Sequence, residues 1–338
     1  MVLYAAERLS QFIVWKFTTL FLRLDSAFSA LSLFSALCIA VTFLLWRRRF
    51  GKHVKYKVIG RALFPRWLRR ASFRADIGFL LLNVLASGIL FGWAFLSAQS
   101  ISSFVSGTLT DMWGVLPKTG LHELATRSIV TVFLFLAYEL GYWVDHYLSH
   151  RIPVLWEFHK VHHTAEVLSP LTNYRVHPVD SVVFTNILAV FLGVTGGVLS
   201  YLQLGSPFEM GSTNVILVAF FFVTVHLQHS HVWIPTTGLL GRVILSPAHH
   251  QIHHSDNPIH FDKNFGSCLS IWDWLFGTLH MPGRKRERLH FGIGTRAREH
   301  HTAVGSLVMP FVHALGRLRS PRDSKHTDES ADRSYVTE

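Results

Sequence analysis

Three histidine runs are the part of this sequence that can do chemistry. His146 and His150 stand four apart behind Asp145; His159, His162 and His163 follow; His250, His253 and His254 repeat that HxxHH spacing, with His249 just before them. On a helix, residues i, i+3 and i+4 share a face, so each HxxHH aims three imidazoles at one volume and the HxxxH aims two. Eight nitrogen donors exceed what one metal ion uses, but they suit two adjacent ions with positions left open for oxygen. A single HxxxH is ordinarily a polar helix face, and one HxxHH is ambiguous. The three together are not, because crowded imidazoles repel when charged and are costly to bury without a partner.

Between the second and third runs lie His226, His229 and His231. They fall where an apolar segment ends, so a further ligand is expected from there: His229 first, His226 second, with His231 hydrogen-bonding outside the ligand set. His177 precedes Pro178, which is read as ending a local helix. That places His177 outside the ligands, lining a substrate entrance.

Imidazole suits Zn, Cu, Fe and Ni alike. A structural zinc site closes with four ligands and usually includes cysteine. The two cysteines, Cys38 and Cys268, lie outside every histidine run. His122-Glu123 begins like the HExxH of a zinc protease, but the closing position is Thr126. Redox-active iron with open positions fits best. The rival is a non-enzymatic metal- or haem-binding membrane protein. Haem would call for isolated histidine pairs on two helices, and a transporter for charged groups through the bilayer midplane, where this chain has little besides Glu139.

The elements that must carry these residues are apolar helices. The chain is 49% hydrophobic and only 16% charged, against about 25% charged in average soluble domains. That excludes a disordered chain, and two cysteines exclude a disulfide scaffold. Spanning a bilayer takes about 20 apolar residues, and five segments approach this: Ser26 to Trp46, Ile77 to Ala98, Ser128 to Val144, Val182 to Leu204 and Asn214 to Gln228. Leu9 to Leu24 reads as an interfacial amphipathic helix, and no signal peptide is recognisable. Residues 47–75 hold eleven Lys and Arg and no acid, whereas residues 99–127, read as a loop on the opposite side, hold two bases and two acids. The basic loop should therefore be cytoplasmic, and every histidine run with it. The formal charge of +11 is accounted for in this way; without a recognition motif, nucleic acid is not an expected partner. The expected fold is all-α: a multi-pass transmembrane helical bundle with four or five spans and a cytoplasmic histidine-rich helical cap. The expected organisation is a membrane region over 1–127, a catalytic domain over 128–290, and a C-terminal segment over 291–338 with a disordered tail from Leu318.

The pattern resembles the fatty acid hydroxylase/sterol desaturase superfamily. HxxxH, HxxHH and HxxHH occur with Arg175-Val176-His177-Pro178 after the second run, and with Ser246-Pro247 leading into the third. Asn264-Phe265-Gly266 and Trp272-Asp273 through Gly277-Thr278 complete the likeness, over roughly residues 128–280. The resemblance implies two non-haem iron ions on His146, His150, His159, His162, His163, His250, His253 and His254, with His229 added and His226 as the second candidate. It also implies O2 as co-substrate, a lipid substrate taken from the bilayer, and a separate electron donor, cytochrome b5-like or ferredoxin. The product would be an alcohol or an alkene. Asp145, Asp180 and Asp273 are the carboxylates expected to hold imidazole N–H groups.

Overall fold

The computed structural model describes residues 2–49, 71–294 and 301–319. It is helical, and the regular strand among the described residues is one two-residue antiparallel pair, Glu209–Met210 with Thr213–Asn214. Four stretches are long and apolar enough to cross a membrane: Ala30–Arg49, Ser87–Trp113, Glu123–Arg151 and Pro178–Tyr201. The apolar Val215–Gln228 is shorter. Most of the basic 47–75 run, including Lys52, Lys55, Lys57, Arg61, Arg66, Arg69 and Arg70, lies outside the described residues, as does the tail beyond Arg319.

The N-terminal helix α1 covers Val2–Leu22 and α2 covers Ala30–Arg49. The expected first span began at Ser26, but Ser29 accepts a hydrogen bond from the Ser32 N–H, the pattern of an N-terminal cap, and the helix starts after it.

The second expected span, Ile77 to Ala98, is not one straight helix. Helix α3 runs Ala71–Leu85, a short turn occupies Ser87–Phe91, and helix α4 then covers Ala98–Trp113, inside what the sequence suggested was a loop. Side chains satisfy the backbone freed at the break. Asn186 accepts from the Leu96 N–H and donates to the Ala94 carbonyl, and Ser97 caps α4. Helix α4 escaped notice because its Ser, Thr and Gly content dilutes hydropathy. The small residues at its contact with the later helix Pro178–Tyr201 come from that helix: a Cβ added to Gly193 or Gly197 would lie 2.6 Å from Cβ of Ile101 or Val105. Close backbone approach of this kind holds helices together where lipid removes the hydrophobic drive.

Helix α5 runs unbroken over Glu123–Arg151 and is capped by His122, whose Nδ1 accepts from the Leu124 N–H. At 29 residues it outruns the bilayer, and its last two turns carry His146 and His150. After Ile152, Pro153 opens helix α6, Pro153–His163, proline being tolerated where the first-turn N–H has no helical partner. Helix α7 covers Pro178–Tyr201. Pro178 therefore begins a helix and does not end one, for the same reason as Pro153. Helix α8, Val215–Phe220, continues through a π-helical turn, Phe221–Val225, to His226–Gln228.

The short helices Gly238–Val243 (α9), Pro247–His253 (α10) and Ile271–Leu275 (α11) follow, and Ala303–Arg319 (α12) is the last described helix. Nothing in the sequence reading anticipated α12, because Gly305, Pro310 and Gly316 interrupt its pattern. It packs on α6 through Phe158 with Phe311, and through Arg317 Nε donating to buried Glu157 at 3.1 Å. Glu157 also pairs with Lys160.

Candidate metal centre

Four elements bring the histidines together. Helix α5 delivers His146 and His150 from below; α6 turns back and adds His159, His162 and His163. Arg175, fully buried, donates through Nε to the Val161 carbonyl at 3.2 Å and to Thr164 Oγ1 at 3.0 Å, which steadies the end of α6. Its Nη1 pairs with buried Asp76 on α3 at 2.7 Å. Helix α10 starts with a reciprocal cap between Ser246 and His249 and presents His250, His253 and His254. His229 follows the last turn of the α8 segment.

Two sets of buried imidazoles result. His146, His150, His159, His163 and His253 form one; His162, His229, His250 and His254 form the other. Within each set one ring nitrogen per residue lies within 4.8 Å of all the rest. The eight run residues and His229 are thus collected, and each HxxHH is divided between the sets. In the set of four, His229 Nε2 lies 3.2, 3.0 and 3.1 Å from Nε2 of His162, His250 and His254. In the set of five, His150 and His163 present Nε2 atoms 3.1 Å apart.

The rings of the larger set are oriented from outside. His146 Nδ1 meets the Phe265 carbonyl at 2.8 Å, His253 Nδ1 the Lys263 carbonyl at 2.8 Å, and His159 Nδ1 the Asp180 carboxylate at 3.2 Å. His150 Nδ1 faces Asp262 at 3.5 Å. An Nδ1–H donated outward leaves Nε2 with a bare lone pair. The inward Nε2 atoms of His146, His159 and His253 are buried without a hydrogen-bond partner.

The two carbonyls come from one loop with an unusual backbone. Asp262 and Asn264 adopt φ of 57° and 59°, a left-handed conformation that Asp and Asn tolerate better than most residues. The Asn264 side chain donates to the His249 and His280 carbonyls and accepts from the His280 N–H. A Cβ on Gly266 would collide with the Leu269 carbonyl.

Asp273 serves this loop and touches no imidazole among the described residues. It accepts from the Phe265 and Gly266 N–H groups at 2.8 and 2.9 Å, from Trp143 Nε1 at 3.1 Å and from Thr278 Oγ1 at 2.6 Å. Burial pushes its carboxyl above the ordinary range while those donors pull it down. Asp145 is buried and makes no hydrogen bond to an imidazole among the described residues. Of the three expected carboxylates, only Asp180 meets a ring directly.

The remaining predicted residues stand apart from both sets. His226 Nε2 lies 3.1 Å from Ser32 Oγ, and its ring packs edge-on against Phe28. His231 is half-buried. His177 is buried; it caps α7 by accepting from the Val179 N–H, and its Nε2 reaches the Leu307 carbonyl of α12 at 3.3 Å. Sequence reasoning missed Asp262 and the Lys263 and Phe265 carbonyls. It quoted Asn264-Phe265-Gly266 only as a likeness. It also read Glu139 as a lone intramembrane acid, whereas Glu139 accepts the Cys268 and Leu269 N–H groups at 2.9 and 2.8 Å and so ties α5 to the same loop.

Burial, reinforced by the neighbouring rings, holds His162, His163, His250 and His254 well below the ordinary imidazole range, and brings His229 and His253 down to about 3. These six rings are therefore neutral near pH 7, the state in which imidazole binds a metal.

The family model for fatty acid hydroxylases matches residues 131–278. Alkylglycerol monooxygenase of Danio rerio is 30% identical over 165 residues, 46% of this chain and 32% of that protein. Ornithine lipid hydroxylase OlsE of Rhizobium tropici is 30% identical over 173 residues, 51% of this chain and 47% of that protein. Lathosterol oxidase of Mus musculus is 25% identical over 178 residues, 52% of this chain and 51% of that protein. The matched segment thus spans a third to a half of these relatives. No solved structure matches the chain.

Proposed function

We propose that this chain, whose residues 131–278 match the family model for fatty acid hydroxylases, uses O2 and two electrons to hydroxylate or desaturate an unactivated C–H of a membrane lipid. The observation that carries this reading is the convergence of nine buried imidazoles into adjacent sets of five and four.

The donor set fits metal better than it fits hydrogen bonding. A neutral imidazole Nε2 carries either one proton or one lone pair, yet His229 Nε2 faces three other Nε2 atoms at 3.0–3.2 Å. At most one of those contacts can be a hydrogen bond. Nitrogens bound at about 2.1 Å to a shared ion lie at comparable separations from one another. We assign one iron to His146, His150, His159, His163 and His253, and a second to His162, His229, His250 and His254. Iron bound there would supply oxygen activation and one-electron chemistry that no side chain can perform.

The protein's own work is orientation and exclusion of water. The Phe265 and Lys263 carbonyls and Asp180 hold their rings with Nε2 bare and inward. Phe265, Leu245 and Ile252, each fully buried, keep the surroundings apolar. Because α5 and α7 pass from the apolar stretches directly to the site, the lipid chain would approach from the bilayer. For hydroxylation the balance is R–H + O2 + 2e⁻ + 2H⁺ → R–OH + H2O; for desaturation, –CH2–CH2– + O2 + 2e⁻ + 2H⁺ → –CH=CH– + 2H2O. The electrons come from a separate donor, and the catalytic unit is residues 128–290. Arg47, Arg48 and Arg49, with the rest of the basic run, favour the cytoplasmic side for the site.

The test is metal content of the purified protein by mass spectrometry, beside His162→Ala and His253→Ala. About two irons per chain, reduced in each variant, is the expected result. Protein without iron from iron-supplemented cells would overturn the reading. An alkylglycerol, an ornithine lipid and lathosterol are the substrates to assay first.

A further inference from the structure

Resting on that reading, the chemistry needs two electrons delivered one at a time to a buried site. The described residues suggest where they enter. Residues 284–288 read Arg-Lys-Arg-Glu-Arg, and Arg284, Lys285, Arg286 and Arg288 are exposed, with no ion-pair partner among the described residues. The one acid, Glu287, is half-buried: it accepts from the Gly283 N–H and lies 3.6 Å from buried His260. Four cations therefore face solvent together.

This loop is fastened to the back of the four-histidine set. The Gly283 carbonyl accepts from Trp233 Nε1 at 3.0 Å, four residues beyond His229. Leu289 packs against Trp233 and Ile252, the latter between His250 and His253. The His290 carbonyl accepts from the Asp256 N–H, two residues beyond His254. One layer of side chains separates the cationic surface from the ligands.

The loop's composition speaks against a bilayer contact. A membrane-surface element carries large apolar side chains beside its basic ones. Helix α12 does so, with Val308, Phe311, Val312 and Leu315 exposed, whereas among the described residues no large hydrophobic side chain is exposed between Phe276 and Val308. A loop that is cationic, carries no exposed large apolar side chain of its own, and is braced against the metal ligands fits a soluble protein of opposite charge. We propose that residues 284–288 are the docking surface for an acidic one-electron carrier protein, each docking event transferring one electron from the reduced carrier to the oxidised metal site.

The test uses the full-length, iron-loaded protein in neutral phosphatidylcholine nanodiscs, oxidised and kept anaerobic so that no lipid substrate is needed. Reduced soluble cytochrome b5 haem domain and reduced plant-type ferredoxin, both acidic, serve as probes, and their oxidation is followed by absorbance across a salt series. The comparison protein has Arg284, Lys285, Arg286 and Arg288 all replaced by Gln. Electrostatic steering raises association rates by about 10–10³-fold. At low salt the variant should therefore be at least about tenfold slower with one or both carriers, with a flattened salt dependence. Its iron content and its rate of reduction by dithionite should match the parent. Equal rates with both carriers would overturn the proposal. So would a defect seen only in discs containing phosphatidylserine, which would assign the loop to headgroups. If dithionite fails to reduce the iron of the unaltered protein, the oxidoreductase reading falls, and this proposal falls with it.

Discussion

The two histidine sets are held by different means. In the set of five, His146, His159 and His253 each spend their outer nitrogen on a carbonyl or carboxylate, and His150 faces Asp262. In the set of four, the outer nitrogens of His229, His250 and His254 meet no hydrogen-bond partner among the described residues. Those rings depend on where their helices sit: α10 through its cap, and His229 through the apolar packing of α8. Phe220 stacks on Phe135 at 5.8 Å, and Leu217 is buried with Phe135 and Cys268. One set is oriented by polar contacts at four of its five rings, the other by the seating of the helices that carry its rings. Substitutions far from any histidine should therefore separate them.

The largest effect is expected from Leu217→Ala. Truncating a buried leucine costs about 2–5 kcal/mol where the site cannot collapse. Here that loosening acts on the segment carrying His229. The thermal midpoint should fall, and iron per chain should drop from about two toward one, with the remaining metal on the set of five. Mass spectrometry with Mössbauer spectra of the ⁵⁷Fe-loaded variant reads this directly. Equal loss from both sets would break the distinction.

Asp180→Asn is the converse probe. It keeps the size of the side chain but removes the charge that the His159 ring faces. Contacts of this kind are worth about 10–100-fold in metal affinity. In the unaltered protein, chelation should be biphasic, with the less supported set of four releasing first. In the variant the slow phase should quicken and merge with the fast one, while the midpoint of the metal-free protein barely moves. A slow phase that survives Asp180→Asn would show that the carboxylate does not support its ring.

How much of this could be read in the sequence follows the same division. The eight run residues repeat at helical spacing, so their convergence was legible, and that of His229 followed from its place at the end of an apolar segment. The long helices were legible through hydropathy wherever leucine and phenylalanine dominate, as in α2, α5 and α7. Helix α4 was not, because its serines, threonines and glycine lower its hydropathy. Nor were the supports of the larger set. A backbone carbonyl has no sequence signature, and the left-handed turn at Asp262 and Asn264 that aims two of them shows only as residues able to adopt it. The carboxylates misled in a similar way. Asp273 was expected on a ring and instead holds the loop that holds the ring.

The smallest effect should come from the histidine that the sequence nearly promoted. His226 precedes His229 by three, and the spacing alone could not demote it. What does so is its partner. Its Nε2 lies 3.1 Å from Ser32 Oγ on α2 while its ring packs on Phe28, so it links an N-terminal helix to the foot of α8. A buried hydrogen bond contributes about 1 kcal/mol net. Ser32→Ala should lower the thermal midpoint by a few degrees and leave two irons in place. His226→Gln, which can still bond Ser32, should change iron content no more. Because His226 borders the packed set and not the tethered one, any iron lost in these variants should come from the set of four. Loss from the set of five would mean that α2 reaches the site by a path other than α8, and the two sets would then no longer be independent.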